Sequence, residues 1–580
     1  MKEKFFLVIA AFAVAALLAF HKIDSRSAAG KNTQYSGLRK INIIPCSRDW
    51  SQLKDWLEES DIPPIPGAGA YKWKISTNND SAQFYFNQGI NMYYSFHIIE
   101  SMASFKKAAR FDPSCAMLFW AEALAYGPNI NDLGYAASPE ALAATQKAVE
   151  LSATASDMER KLIQAMAVRY TADSTDLNRK SLNEAYTKAM SEVYKDYPDN
   201  AEAGTLYADA MMLEHPWDLW KNDGTPKPWT PLIREVLEKV IAKTPTNPGA
   251  NHYYIHVMEP SPYAAKALAS ADRLGKLTPG LSHTVHMPSH IYLRTGYYEK
   301  GVSVNEAAVK SYERTIPLYE PVKGNDFLYI IHNLHMQTNN AMLAGLSFYS
   351  LKAAHETRNS IPKDYLSIPG ALGNYIQYIY MTPTLVDVRF GNWNNLLTES
   401  KPASELIYAT LLWHFGRGMA YSHRQNFDAA AKELDSMREL MKDSTLKIPL
   451  SPFSAAIEGA TIAEQLLLGD IHLQRKMYDG AVRHFAKADS VESNMVYNEP
   501  RDWLLNPKHY LGNAYLKAEQ FDKAKDVLEK DLKNNSENGW ALYGCWLAIR
   551  NGDKKAAELM LQRFKAAFSK ADVKLYGPVF

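Results

Sequence analysis

Residues 89–113, GINMYYSFHIIESMASFKKAARFDP, decide the fold. Small residues stand at Gly89, Ser101 and Ala108, large ones at Met92 and Phe105, and Pro113 closes the unit. Side chains three and four apart share a helix face. The spacing therefore predicts two consecutive helices, in which a small residue on the first lets the second approach and a large one fills the remaining gap. The pattern returns with a period of about 34 residues. Leu468, Gly469, His472, Ala481, Phe485 and Ala488 repeat it, as do Leu511, Gly512, Tyr515, Ala524 and Leu528. Gly418, Tyr421, Ala430 and Leu434 form another copy, and Trp540, Tyr543, Gly544, Leu547, Ala556 and Met560 a looser one. Pro248 and Pro279 stand at repeat ends, so Asn251 and Leu281 open new helix pairs, and a third opens near Ile331, aligned through Gly345. From Ser81 onward the apolar period is helical almost throughout, which predicts an all-α chain of stacked helix pairs.

This register resembles the tetratricopeptide repeat (TPR), and the resemblance implies a helical solenoid with a concave groove. Residues 81–395 read as an N-terminal TPR-like solenoid with a histidine-rich groove, and 396–580 as C-terminal TPR repeats. Between Glu214 and Pro231 an insertion rich in tryptophan and proline is expected to project from one face as a loop.

Of 580 residues, 47% are hydrophobic and 22% charged, as in a soluble folded protein, and the length calls for several domains or a repeat array. The 64 basic and 63 acidic side chains nearly cancel, which argues against a nucleic-acid partner or a polybasic membrane surface. Three cysteines, Cys46, Cys115 and Cys545, lie far apart and exclude both a disulfide framework and a thiolate metal site.

Residues 1–22 read as a signal peptide or N-terminal anchor: Lys2 and Lys4 precede an uncharged apolar run over 5–20. An exported protein is expected, periplasmic or tethered to a membrane through 5–20. No cysteine close to that run offers a lipid acceptor, which counts against an outer-membrane nutrient-binding lipoprotein of the SusD type. Residues 23–80 read as a linker and lead-in, with Pro63, Pro64, Pro66, Gly67 and Gly69 stiffening it.

Three successive segments concentrate the chemistry: His252, His256 and Glu259; His283, His286 and His290; His332 and His335. Spacings of three, four and seven put each set on one helix face. In TPR proteins the second, fifth and ninth positions of a first helix line the groove. The resemblance places these side chains there, together with Glu202 and Asp209 of the preceding repeat. A narrower resemblance covers nearly everything after residue 80. A family of bacterial TPR proteins carries the motifs that appear here as HYYIHVME (252–259), HMPSHIYLR (286–294) and HNLH (332–335), and then as WHFGRG, YNEPRDW, KHYLGNAYL and NGWALYG. It implies fold and site location without supplying a reaction. Lys508 stands where that family usually has arginine, a change that weakens a bidentate anion contact.

Neutral imidazole with carboxylate is a ligand set for zinc, iron or copper. The candidate metal ligands are His252, His256, His283, His286, His290, His332 and His335, and Glu259, Glu499 and His509 are candidate catalytic groups. A hydrogen-bonded structural network and anion or peptide recognition by histidines remain open alternatives. So do two functions: an exported solenoid that binds a polypeptide or small-molecule ligand in the groove, and a metal-dependent enzyme built there. No phosphate-binding glycine loop, nucleophile elbow or HExxH helix is present.

Overall fold

A computed structural model describes residues 50–59, 61–131, 139–172, 179–319, 322, 327–499 and 503–580. The apolar run over 5–20, Cys46 and the proposed anchor lie outside these residues. Among the described residues there is no β-strand, only the isolated bridges Trp220–Pro226 and Pro449–Ala455, and no helix is long and apolar enough to cross a membrane.

The expected pairs are present: Asp80–Tyr93 with Ile98–Phe111, Ile407–His423 with Phe427–Leu440, Ala456–Gln474 with Tyr478–Asn494, Pro507–Lys517 with Phe521–Asn534, and Gly539–Ile549 with Lys554–Ala567. The small-residue logic is visible in space. A Cβ on Gly89 would meet the Phe105 ring at 2.4 Å, and one on Gly469 would meet the Phe485 ring at 2.4 Å.

One turn recurs between the helices of a pair. The residue two positions before the second helix takes a left-handed backbone: Gly296 (φ 84°), Gly345 (φ 71°) and Gly391 (φ 67°), but also Phe96 (φ 55°), Gln425 (φ 58°), Lys476 (φ 60°) and Glu519 (φ 59°). The next amide then donates back to the carbonyl five residues earlier, as from His97 to Met92 at 2.9 Å and from Met477 to His472 at 2.8 Å. This bond answers helix-end carbonyls that would otherwise lack a partner. Left-handed backbone costs a non-glycine residue about 1–2 kcal/mol, so four such residues mark a turn that the packing over-determines.

Three parts differ from the sequence reading. The lead-in is not a free linker. Trp50–Glu59 is a helix, and residues 61–77 run over the first repeats as an extended strap that buries Ile62, Ile65, Trp73 and Ile75. Gly67 accepts a hydrogen bond from the Gly280 amide at 2.8 Å, so the proline-rich part is docked through the side chains that flank its prolines. The insertion after Glu214 is docked at its base, burying Leu219 and Trp220, while Lys221, Asn222, Asp223, Thr225 and Pro226 stay exposed. Its tryptophans find buried acceptors, Trp217 donating to the Ile130 carbonyl at 3.0 Å and Trp220 to the Val257 carbonyl at 2.7 Å, because an indole N–H is costly to bury unpaired. The helix expected to carry His283, His286 and His290 is broken into Ser282–His286 and Pro288–Thr295, since Pro288 has no amide to continue it.

The buried apolar residues form two large clusters, one spanning residues 50–322 and the other 331–575. Residues 331–395 thus share a core with the C-terminal repeats.

Candidate metal centre

Asn247 caps the helix Pro248–Met258 by accepting from the Ala250 amide at 2.8 Å, and Pro248 fits its first turn. One turn apart on that helix, His252 and His256 point the same way. The broken pair Ser282–His286 and Pro288–Thr295 brings His283, His286 and His290 alongside, and Phe327–Leu343 brings His332. The six rings sort into two trios. In the first, His252 Nε2 lies 3.1 Å from His256 Nε2 and 3.1 Å from His283 Nε2. In the second, His286 Nε2 lies 2.8 Å from His290 Nε2 and 3.1 Å from His332 Nε2.

Some of the opposite ring nitrogens are held by acceptors, although His283 Nδ1 has none among the described residues. His252 Nδ1 is 2.7 Å from the Tyr94 carbonyl, and His286 Nδ1 is 2.6 Å from Asn305 Oδ1. Asn305 is oriented in turn by its amide, which donates to the Gly301 carbonyl at 2.7 Å. Glu259 serves both trios: Oε1 is 2.9 Å from His256 Nδ1 and Oε2 is 2.8 Å from His290 Nδ1. An imidazole that gives its Nδ1 proton to an acceptor keeps a bare lone pair on Nε2. On that network the Nε2 lone pairs of His252 and His286 each face two imidazole nitrogens at contact distance, an arrangement held by protons on facing rings, as on His256 beside its carboxylates, or by a cation among the nitrogens.

A second carboxylate arrives from far along the chain. Glu499, in the segment after Tyr478–Asn494, puts Oε1 3.3 Å from His256 Nδ1 and Oε2 3.8 Å from His290 Nε2 and 3.9 Å from His332 Nε2. From the same segment Tyr497 donates its hydroxyl to Glu259 at 2.8 Å. Phe96 packs its ring against His252, His256 and His283, with centroids 4.5, 6.0 and 5.3 Å away. Trp217 meets His256 edge-on at 5.4 Å.

Burial and the neighbouring imidazoles hold His252, His283, His286 and His332 well below the ordinary histidine range, in the neutral form that ligates metals. Burial also pulls His256 down, but its hydrogen bonds to the Glu259 and Glu499 carboxylates outweigh it and push it up to about 9. Burial and the charge of Glu259 raise Glu499 to about 7, while the imidazoles, working against burial, keep Glu259 well below the carboxylate range.

The other sequence candidates lie elsewhere. His335 belongs to neither trio; it is buried with its ring 5.8 Å from that of Tyr378. Glu202 accepts from Tyr71 and Tyr94, and Asp209 accepts from Tyr93 at 3.3 Å, so the strap and the first repeat cover these positions instead of leaving an open groove. His509 is engaged by Asp531 at 2.8 Å and Arg389 at 3.1 Å, in a structural network apart from the trios. Lys508 pairs with Asp489 at 2.6 Å and Glu492 at 3.4 Å, so its partners are carboxylates of the protein itself. Sequence reasoning assigned no site role to Phe96, Tyr94, Asn305 or Tyr497, because each reaches the centre through a turn, a carbonyl or a distant loop.

Next to Glu499, whose amide donates to Asn498 at 2.8 Å, Asn498 lines a narrow cavity of about 40 Å³. Tyr375, Tyr378, Tyr408 and Phe453 line it as well, and Phe453 touches Trp217 with ring centroids 6.0 Å apart.

The fold defines the class: paired antiparallel helices with glycine–aromatic packing and a recurrent left-handed turn make a helical-repeat solenoid of the TPR type. Among solved structures the chain is similar to the human IFIT1 dimer with m7Gppp-AAAA (12% identity, 86% of this chain and 91% of that one, TM-score 0.30). It is also similar to yeast Tom70 (10% identity, 84% and 92%, TM-score 0.28) and to the APC/C hetero-tetramer Cut9–Hcn1 (12% identity, 85% and 76%, TM-score 0.27). No family model matches the sequence, and no curated protein matches it.

Proposed function

We propose that this protein is a metal-dependent enzyme whose centre is built from His252, His256, His283, His286, His290 and His332. The observation that carries this reading is the convergence of six imidazoles in two trios, with the Nδ1 atoms of His252 and His286 committed to acceptors, the outer-shell arrangement that orients histidine ligands. Imidazole ligation suits zinc, iron or copper. A polypeptide-binding scaffold needs exposed groove residues, whereas five of these rings are buried and His332 is 17% exposed in its side chain. Glu499 supplies a carboxylate beside both trios for proton transfer.

Metal analysis of the purified protein tests the reading. Stoichiometric zinc, iron or copper is expected, and it should fall in the His283→Ala and His286→Ala variants. Protein that purifies metal-free and binds no metal on titration would remove the ion and leave the reading of a groove that binds a ligand or protein partner. Export and any membrane tether through 5–20 remain part of the proposal, tested by cell fractionation.

A further inference from the structure

We propose that the centre is binuclear: each histidine trio takes its own copper ion, and Glu259 locks the two half-sites together. This deepens the metal-centre reading and rests on it.

Each trio is a complete donor set. The nitrogens of His252, His256 and His283 lie within 4.8 Å of one another, and so do those of His286, His290 and His332. A single ion served by all six would require the rings to gather about one point, but the Nε2 contacts at 3.1 Å or less fall within each trio. The half-sites are adjacent, with ring centroids 5.9 Å apart for His283–His286 and 6.2 Å for His256–His290. Ions in the two trios would be near neighbours, as in other two-metal sites.

The donor chemistry selects the metal. Neither trio contains a thiolate or a carboxylate. Glu259 is committed to the outer nitrogens of His256 and His290, and Glu499 stands 3.3 Å from His256 Nδ1, where the three residues group on the outer side of the ring, and 3.8 and 3.9 Å from the nearest Nε2 atoms of the second trio. Donor sets dominated by imidazole are poor hosts for magnesium, calcium and manganese. Among divalent first-row ions, copper stands highest in the affinity order for nitrogen donors, and three imidazoles give it a low-coordinate site with room for another ligand. Glu259 places one negative charge between the half-sites, which offsets part of the repulsion between two cations.

The experiment is copper titration of the full-length chain in apo form, read by bound copper per chain and by electron paramagnetic resonance. The expected result is two ions per chain, with a copper(II) signal that is broadened or smaller than the copper content because the two spins interact. His252→Ala should break the first half-site and His332→Ala the second. Each variant should bind one ion and show the full signal of an isolated copper(II). His283→Gln and His290→Gln repeat the dissection with bulkier side chains, and circular dichroism identifies any variant that has lost its helices. Zinc titration gives a second count without the spectroscopy. One ion per chain, lost in both the first-trio and second-trio variants, would overturn the binuclear assignment while keeping the metal centre. Two ions with the full, unperturbed signal of both would also overturn it. No bound ion of either metal would sink the metal-centre reading itself.

Discussion

Tyr497 donates its hydroxyl to Glu259 across 238 residues of sequence, at 2.8 Å. That bond ties the C-terminal repeats to the carboxylate that orients one imidazole in each histidine trio.

Glu259→Gln removes the charge and leaves only one good acceptor for two imidazole N–H groups. Metal affinity should fall about 10–100-fold, the usual cost of losing an outer-shell partner. Competition with a chelator of known affinity measures it. An unchanged dissociation constant would show that Glu259 does not orient the ligands.

Phe96→Gly separates backbone strain from packing. Glycine relieves about 1–2 kcal/mol of left-handed strain, but deleting a buried phenylalanine costs about 3–5 kcal/mol. Packing wins, so the variant should lose about 1–4 kcal/mol in urea denaturation. A gain in stability would mean that the contacts of this ring with His252, His256 and His283 contribute little.

Glu202 sets a pH dependence away from the histidines. Burial raises its carboxyl from 4.5 to about 7 in the folded chain, even though hydrogen bonds from Tyr71 and Tyr94 lower it. The folded state therefore holds this proton more tightly than the unfolded one, and its contribution is fully present below pH 4.5. That contribution is lost as pH rises towards 7, by roughly 3 kcal/mol in all. Glu202→Gln, which keeps an acceptor for both tyrosines, should flatten the fall when denaturation midpoints at pH 5 and pH 8 are compared. Identical pH profiles for the two proteins would refute the assignment.

Gly89→Ala tests the repeat packing. Its new methyl group would lie 2.4 Å from the Phe105 ring, an overpacking that costs about 1–3 kcal/mol. Phe105→Leu should recover part of the loss in the double variant, and thermal unfolding of the four proteins measures the coupling. Simple additivity would mean that the two residues do not press on one another.

The repeats and the helical faces of the histidines were legible because both are local: spacings of three, four and seven residues fix a face whatever the surroundings. Division of the six rings into trios was not, because it depends on how the helix breaks at Pro288. His335 shows the limit of face arguments. It lies one turn from His332, yet His332 enters a trio and His335 faces Tyr378. Glu499 could be named as a candidate but not placed, since only the stacking of intervening repeats brings it to His256. Residues 61–77 were misread because proline and glycine signal the absence of a helix and say nothing about what the intervening apolar side chains bury.

Glu259 and Glu499 meet only because the rotation from each helix pair to the next adds up correctly over the repeats between them. The centre is therefore a gauge of superhelical pitch. A small error in one crossing angle, as from a larger residue at Gly418 against Leu467, is carried along the stack and displaces Glu499 from the imidazoles without touching any of them.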